Sequence, residues 1–145
     1  MTYPNSIDDS DSKKNVLFIC RNNSGRSQMA EALLEYIYSD HYQVYSAGSD
    51  PKPINLLSIK VMEELNIDMS TKYSKSLKEF EGYEFDLVVS LCGEEDEQCP
   101  VFLTGKRYIH HGFSDPRSFT GTSEEKLELF RKVRDEIQEW IIREF

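Results

Sequence analysis

No run of apolar residues in the 145-residue chain approaches the length needed to cross a bilayer. No signal-peptide pattern opens it either, because residues 1–15 are polar and carry the cluster DDSDSKK. That segment has too little apolar content to bury, so 1–14 reads as a flexible tail ahead of a single domain over 15–145. Basic residues are in deficit: 17 Lys and Arg against 26 Asp and Glu leave a net charge of −9. This balance argues against a nucleic-acid partner, although one pocket on an acidic protein can still be locally positive. Cysteine is scarce, with three in all. The odd count excludes a fully paired static framework, and without a secretion signal the expectation is a reducing, cytoplasmic compartment. Cys92 and Cys99 are too far apart for a CxxC motif, and no second pair completes a zinc site, so no metal is expected. Both common nucleotide loops, GxxxxGK[ST] and GxGxxG, are missing. A monomer is expected.

What is present alternates between strand and helix. NVLFIC, residues 15–20, reads as a buried strand, and a helix opens at Ser24 or Gly25 and runs to about Ser39, with Met29, Leu33, Leu34 and Ile37 on its apolar face. YQVYSAG (Tyr42–Gly48) is a second strand. Helical periodicity returns over Ile54–Leu65, a short helix is expected near Ser76–Phe80, and FDLVVSL (Phe85–Leu91) is the third strand. KRYIHHGF holds a shorter fourth strand, and the loop SDPRSFTG follows. Thr122 and Glu125 form a capping-box pattern for a last helix whose Leu127, Phe130, Val133, Ile137, Trp140 and Ile141 recur at three and four residues. The alternation implies an α/β fold, a parallel sheet with helices on both faces. In such sheets ligands bind at the carboxyl ends of the strands. Cys20, Cys92 and Asp115 follow the first, third and fourth strands, so all three belong to one rim.

Between the first strand and its helix lies Cys20, then five residues, Arg26 and Ser27. A loop of this kind at a helix start turns successive backbone N–H groups inward, where the helix dipole also favours an anion. Arg26 adds a planar fork for two oxygens of a tetrahedral oxyanion. The same field favours the thiolate at the loop base, and Ser27 can hydrogen-bond it. Arg21, Asn22, Asn23, Ser24, Gly25 and Arg26 are therefore the expected substrate-binding residues. Asp115 reads by itself as a turn residue before proline, and His110 and His111 as structural.

VLFICRNNSGRSQMAEALL resembles the phosphate-binding loop of low-molecular-weight protein tyrosine phosphatases and of the arsenate reductases that share their fold. SAG at Ser46–Gly48, the strand FDLVVSL and Asp115–Pro116 follow in that family's order, and the resemblance covers Asn15 to Phe145. It implies a four-stranded parallel sheet with flanking helices. The family's loop reads C-x-G-N-S-C-R-S. Here Asn22 replaces the glycine, where asparagine's tolerance of left-handed backbone is relevant, and Gly25 replaces the second cysteine. By resemblance Cys20 is the nucleophile and Asp115 the general acid, a role that calls for a raised pKa beside the bound anion.

A phosphatase has no use for Cys92 and Cys99. LCGEEDEQCP resembles the redox segment of thioredoxin-coupled arsenate reductases, a group tied to arsenic resistance and detoxification. The resemblance implies a relay: Cys20 attacks arsenic, Cys92 attacks Cys20 and releases arsenite, and Cys99 attacks Cys92, leaving an exposed Cys92–Cys99 disulfide for thioredoxin or a similar dithiol. On one continuous helix the two Cα atoms would stand about 10.5 Å apart, against the roughly 4.4–6.8 Å of a disulfide. The segment is therefore expected to be non-helical, or to melt when the pair forms, a change eased by Gly93 and the self-repelling run Glu94–Glu97. Two other readings remain. One is a phosphotyrosine phosphatase using Cys20, Arg26 and Asp115, whose activity could persist weakly in a reductase; DPRSF lacks the aromatic that phosphotyrosine-directed members carry after Asp-Pro. The other is a non-catalytic oxyanion-binding or redox-sensing module. No cofactor is required, although some family members bind a monovalent cation such as potassium, and Asn23, Glu31, Ser46 and Asp68 match that set.

Overall fold

The computed structural model describes residues 13–93, 100 and 105–145. The expected tail lies outside the described residues except for Lys13 and Lys14, and so do Cys99 and the acidic run 94–97. The chain order is β1 (Lys14–Cys20), α1 (Arg26–Tyr38), β2 (Tyr42–Gly48), α2 (Leu56–Glu63), β3 (Leu87–Ser90), β4 (Tyr108–His110) and α3 (Ser123–Glu144). Short 3-10 helices occupy Leu77–Phe80 and Pro116–Ser118. Four strands form one parallel sheet in the order β2-β1-β3-β4, with Val16 opposite Val44 and Leu87, and Val89 opposite Ile109.

Side-chain alternation divides the core. Val16, Phe18, Val44, Val89 and Leu91 face one way and meet Met29 and Leu33 of α1, Val61 and Met62 of α2, and Phe130, Val133, Ile137, Trp140 and Ile141 of α3. Leu17, Ile19, Ala47 and Val88 face the other way and meet Phe80 and Phe85. Among the described residues, the cover on this second face comes from a 3-10 helix and the chain after it, residues 76–85. Each fully buried Leu or Phe contributes about 1.5–3 kcal/mol, so the three α-helices hold most of the apolar driving force.

The helix ends follow their side chains. Thr122 accepts from the Glu125 amide and Glu125 returns to the Thr122 amide, the capping box expected for α3. Ser76 and Glu79 form a second such box on the first 3-10 helix. α1 is unusual in that Arg26 through Leu34 are all buried. Its polar members Arg26, Ser27, Gln28 and Glu31 must therefore find partners, since an unpaired buried polar group costs about 1–3 kcal/mol. The strand order reverses at β1, which opens a crevice at the carboxyl ends of β1 and β3. Cys20 is the last residue of β1 and enters that crevice. Among the described residues no helix is long and apolar enough to cross a membrane.

Candidate active site

The loop from Cys20 to Ser27 is held from outside through its carbonyls. Arg21 O accepts from the Asp50 amide (2.8 Å), Asn22 O from the Lys52 amide (3.0 Å) and Ser24 O from the Asn55 amide (2.9 Å). Ser74 Oγ also donates to Asn22 O, and Gln28 Nε2 donates to Asn23 O. In a trans peptide the N–H points opposite to the carbonyl. Spending these carbonyls outward therefore turns the amides of Asn22 to Gly25 toward the loop's inner side. Gly25, the N-cap of α1, brings no side chain to cap the first turn, and that helix end is open to an anion.

Asn23 adopts a left-handed backbone, φ 48°, a conformation that asparagine tolerates better than most residues. The expectation placed the glycine-like demand at Asn22. Instead Asn22 Nδ2 donates to Asp50 O (2.7 Å), and its neighbour makes the turn. Asn23 Oδ1 accepts from the Lys75 amide (2.8 Å) and from Gln28 Nε2 (2.9 Å), which orients its amide so that Nδ2 donates to Ser27 Oγ (2.8 Å). Ser27 Oγ also lies 2.9 Å from Cys20 Sγ. Ser27 Oγ accepts from Asn23 and keeps its proton and a second lone pair, so it can accept from the Cys20 thiol or donate to its thiolate. Cys20 is a free thiol and 2% exposed.

Gly48 explains the family-like SAG. A Cβ there would stand 2.6 Å from Arg21 O and 2.9 Å from both Cys20 O and Asn23 N, so β2 can run under the loop only without a side chain.

Arg26 gathers the other half of the rim. Its guanidinium donates to Phe113 O (3.1 Å) and, at longer range, to Leu91 O (3.5 Å), and it lies 3.4 Å from the Asp115 carboxylate. Leu91 directly precedes Cys92, which is 1% exposed and disulfide-bonded. The expected exposure of the oxidised pair therefore does not hold at the Cys92 end. Cys99 lies outside the described residues.

A family model described as low molecular weight phosphotyrosine protein phosphatase matches residues 15–143. The chain belongs to this family. An arsenate reductase of Halalkalibacterium halodurans is 42% identical over 125 residues, covering 86% of this chain and 90% of that one. A solved arsenate reductase in its phosphate-binding state superposes with a TM-score of 0.76 at 32% identity, covering 90% of this chain and 95% of that chain. The thioredoxin-dependent arsenate reductase of Corynebacterium glutamicum superposes with a TM-score of 0.60 at 27% identity, covering 94% and 65%.

Asp115 departs from the expected form of a phosphatase-family acid. Burial pushes its carboxyl up. The hydrogen bonds from Arg117 and the charge of Arg26 outweigh that and hold it below its ordinary value. The partner is Arg117, which donates Nε (3.3 Å) and Nη2 (3.0 Å) to the carboxylate and its backbone amide to Oδ1 (3.0 Å). Sequence reasoning missed Arg117, although an Asp whose side chain caps the turn two residues on is a familiar Asx pattern.

The residues matching the family's cation set do not fit one here. Glu31 accepts from Ser46 Oγ (2.6 Å), pairs with Lys72 Nζ (2.7 Å) and lies 3.6 Å from Lys75 Nζ. Asn23 Oδ1 is already taken by two donors, and Asp68 spends its carboxylate on Ser70. Two lysines thus supply the positive charge. His111 lies against Phe113 (4.7 Å) and Trp140 (5.0 Å), in keeping with its structural reading.

Proposed function

We propose that this chain reduces arsenate to arsenite through Cys20, Cys92 and Cys99. The observation that carries this reading is Arg26, which joins Asp115 to the Leu91 carbonyl at the root of the Cys92 segment. An oxyanion clamp linked to a second thiol's strand exit suits a substrate that must be bound and then reduced. The arsenate reductases among the relatives support the same choice. In the first step Cys20 thiolate bonds to arsenic and displaces a hydroxyl, which leaves as water after taking a proton. Cys92 then attacks Cys20 sulfur. The S–As bond breaks, its electron pair passes to arsenic, and As(V) becomes As(III). Cys99 displaces Cys20 from Cys92, restoring the Cys20 thiol. In sum, one dihydrogen arsenate, two thiols and one proton give one arsenous acid, one disulfide and one water. A free Cys20 beside a disulfide-bonded Cys92 is the state that such a sequence leaves behind. The reductant is a thioredoxin-like dithiol protein, in line with the description of the Corynebacterium glutamicum relative as thioredoxin-dependent.

Loop, clamp and Asp115 together also suit weak hydrolysis of an aryl phosphate, which needs neither Cys92 nor Cys99. Cys92→Ser separates the two activities. It is expected to abolish arsenite release while phosphate binding and any aryl-phosphate hydrolysis persist. Arsenite release by that variant would refute the relay.

A further inference from the structure

The motif after Asp-Pro is left unused by the reductase chemistry. Asp115 closes a turn in which Pro116 opens a 3-10 helix, and Arg117 folds back so that its Nε and Nη2 reach the carboxylate at 3.3 and 3.0 Å. The Asp115 side chain is 10% exposed and Arg117 33%, so the acidic end of the pair is buried beside Arg26 and the basic end lies nearer solvent. Among the described residues the charged groups facing Asp115 are Arg117 from its own turn and Arg26 from α1. Two guanidiniums around one carboxylate favour the ionised form strongly.

We propose that Arg117 determines substrate choice in this site: by pairing with the Asp115 carboxylate it withholds a proton donor from organic leaving groups and biases the loop toward inorganic oxyanions. The inference rests on the reductase reading and deepens it. Cleaving a phosphate ester requires the leaving oxygen to be protonated. Cys20 sulfur bonds to phosphorus, the P–O ester bond breaks, and the carboxyl proton of Asp115 passes to the departing oxygen. Water then attacks phosphorus, the S–P bond breaks and returns the thiolate, and Asp115 takes the proton from that water. The net change is ester plus water to alcohol plus phosphate. Arsenate places a different demand on the site. Its leaving group is a hydroxyl that already holds one proton and takes the second from solvent to depart as water, the one proton consumed in the overall reaction, so an ionised Asp115 costs the reductase less than it costs an esterase.

Arg117→Ala tests the assignment, because the turn keeps Pro116 and the bond from the backbone amide of residue 117 to Asp115 Oδ1. With phenyl phosphate as probe, whose leaving oxygen is basic enough to need protonation, kcat/KM is expected to rise about tenfold, part of the roughly 10²–10⁴-fold that a positioned general acid supplies. The alkaline limb of the pH profile is expected to move upward, since the unpaired carboxyl stays protonated to higher pH. Arg117→Lys, a point charge without the fork, is expected to fall between the two. In an Asp115→Asn background the Arg117→Ala gain is expected to vanish. An unmoved alkaline limb, or the same gain in the Asp115→Asn background, would overturn the proposal. These readouts use no thiol beyond Cys20, so failure of arsenite release by the parent protein would sink the reductase reading separately.

Discussion

Cys20 Sγ lies 2.9 Å from Ser27 Oγ, and Ser27 Oγ in turn accepts from Asn23 Nδ2 at 2.8 Å. The chain of contacts leaves the hydroxyl proton available to the sulfur. It also ties the nucleophile to the left-handed residue that shapes the loop. Ser27→Ala removes the hydrogen bond to Cys20 sulfur, a bond worth about 1.5–3 kcal/mol once the sulfur attacks as thiolate. Alkylation of Cys20 by iodoacetamide, measured with Cys92 and Cys99 replaced by serine, is therefore expected to slow by about tenfold or more. An unchanged rate would mean that Ser27 does not support the thiolate.

Gly48→Ala places a methyl against three backbone atoms that cannot rotate away, at 2.6 and 2.9 Å. Overpacking of this kind costs roughly 1–3 kcal/mol. A loop displaced by a fraction of an ångström is expected to lose up to about a hundredfold in the Cys20 step. Phosphate titration followed by NMR, alongside a thermal melt, separates the two effects. Normal phosphate affinity in the folded variant would count against the loop geometry described.

Much of this site is legible in the sequence. C-x5-R between a buried strand and a helix is a local pattern, and the Thr122 capping box is another, because both depend on residues close in sequence. The loop's outer supports were not legible. Asp50, Lys52, Asn55, Ser74 and Lys75 reach it only through tertiary folding and mostly through backbone atoms, which carry no sequence signature. The left-handed turn fell on Asn23 rather than Asn22, since two adjacent asparagines offer the same propensity and only the Lys75 and Gln28 contacts decide between them. β3 (Leu87–Ser90) and β4 (Tyr108–His110) are shorter than the runs FDLVVSL and KRYIHHGF that announce them, because only the residues in register with a neighbouring strand pair.

Lys72 reports on whether an internal cation replaces a bound one. Burial lowers its pKa, and the Glu31 and Glu35 carboxylates more than restore it, leaving it above the ordinary 10.5. The pair's contribution is thus fully present at neutral pH and is lost only as pH rises past 10.5 through the higher folded value. Wild-type protein is expected to melt at the same temperature in potassium and sodium chloride. Lys72→Met, which strips one partner from a Glu31 side chain that is 7% exposed, is expected to cost about 2–4 kcal/mol. A melting temperature raised by potassium over sodium in the wild type would contradict the assignment.

Glu64 joins α2 to α3 through Arg131 (2.7 Å) and Arg134 (2.8 Å), while Arg134 also caps Val61 O (2.7 Å). The hydrogen bond from Arg131, with those from Arg134, pulls its carboxyl from 4.5 down to about 2. A depressed folded value stabilises above the ordinary pKa and is lost as pH falls through the folded one. With side chains about one-third exposed, the effect is discounted to about 0.5–1 kcal/mol. Denaturant titrations of Glu64→Gln are expected to differ from wild type by that amount at pH 7 and to converge with it between pH 4.5 and about 2. A gap that persists at pH 2 would assign the effect to packing.

Thiol counting in a single turnover tests the reductase account most directly. Fully reduced protein is mixed with excess arsenate and no external reductant, and free thiols, arsenite and disulfide position are measured together. The account requires one arsenite per chain, two thiols lost, and a final disulfide joining Cys92 to Cys99 with Cys20 free. Arsenate consumed without loss of thiols, or a protein left with all three thiols and no arsenite formed, would contradict it.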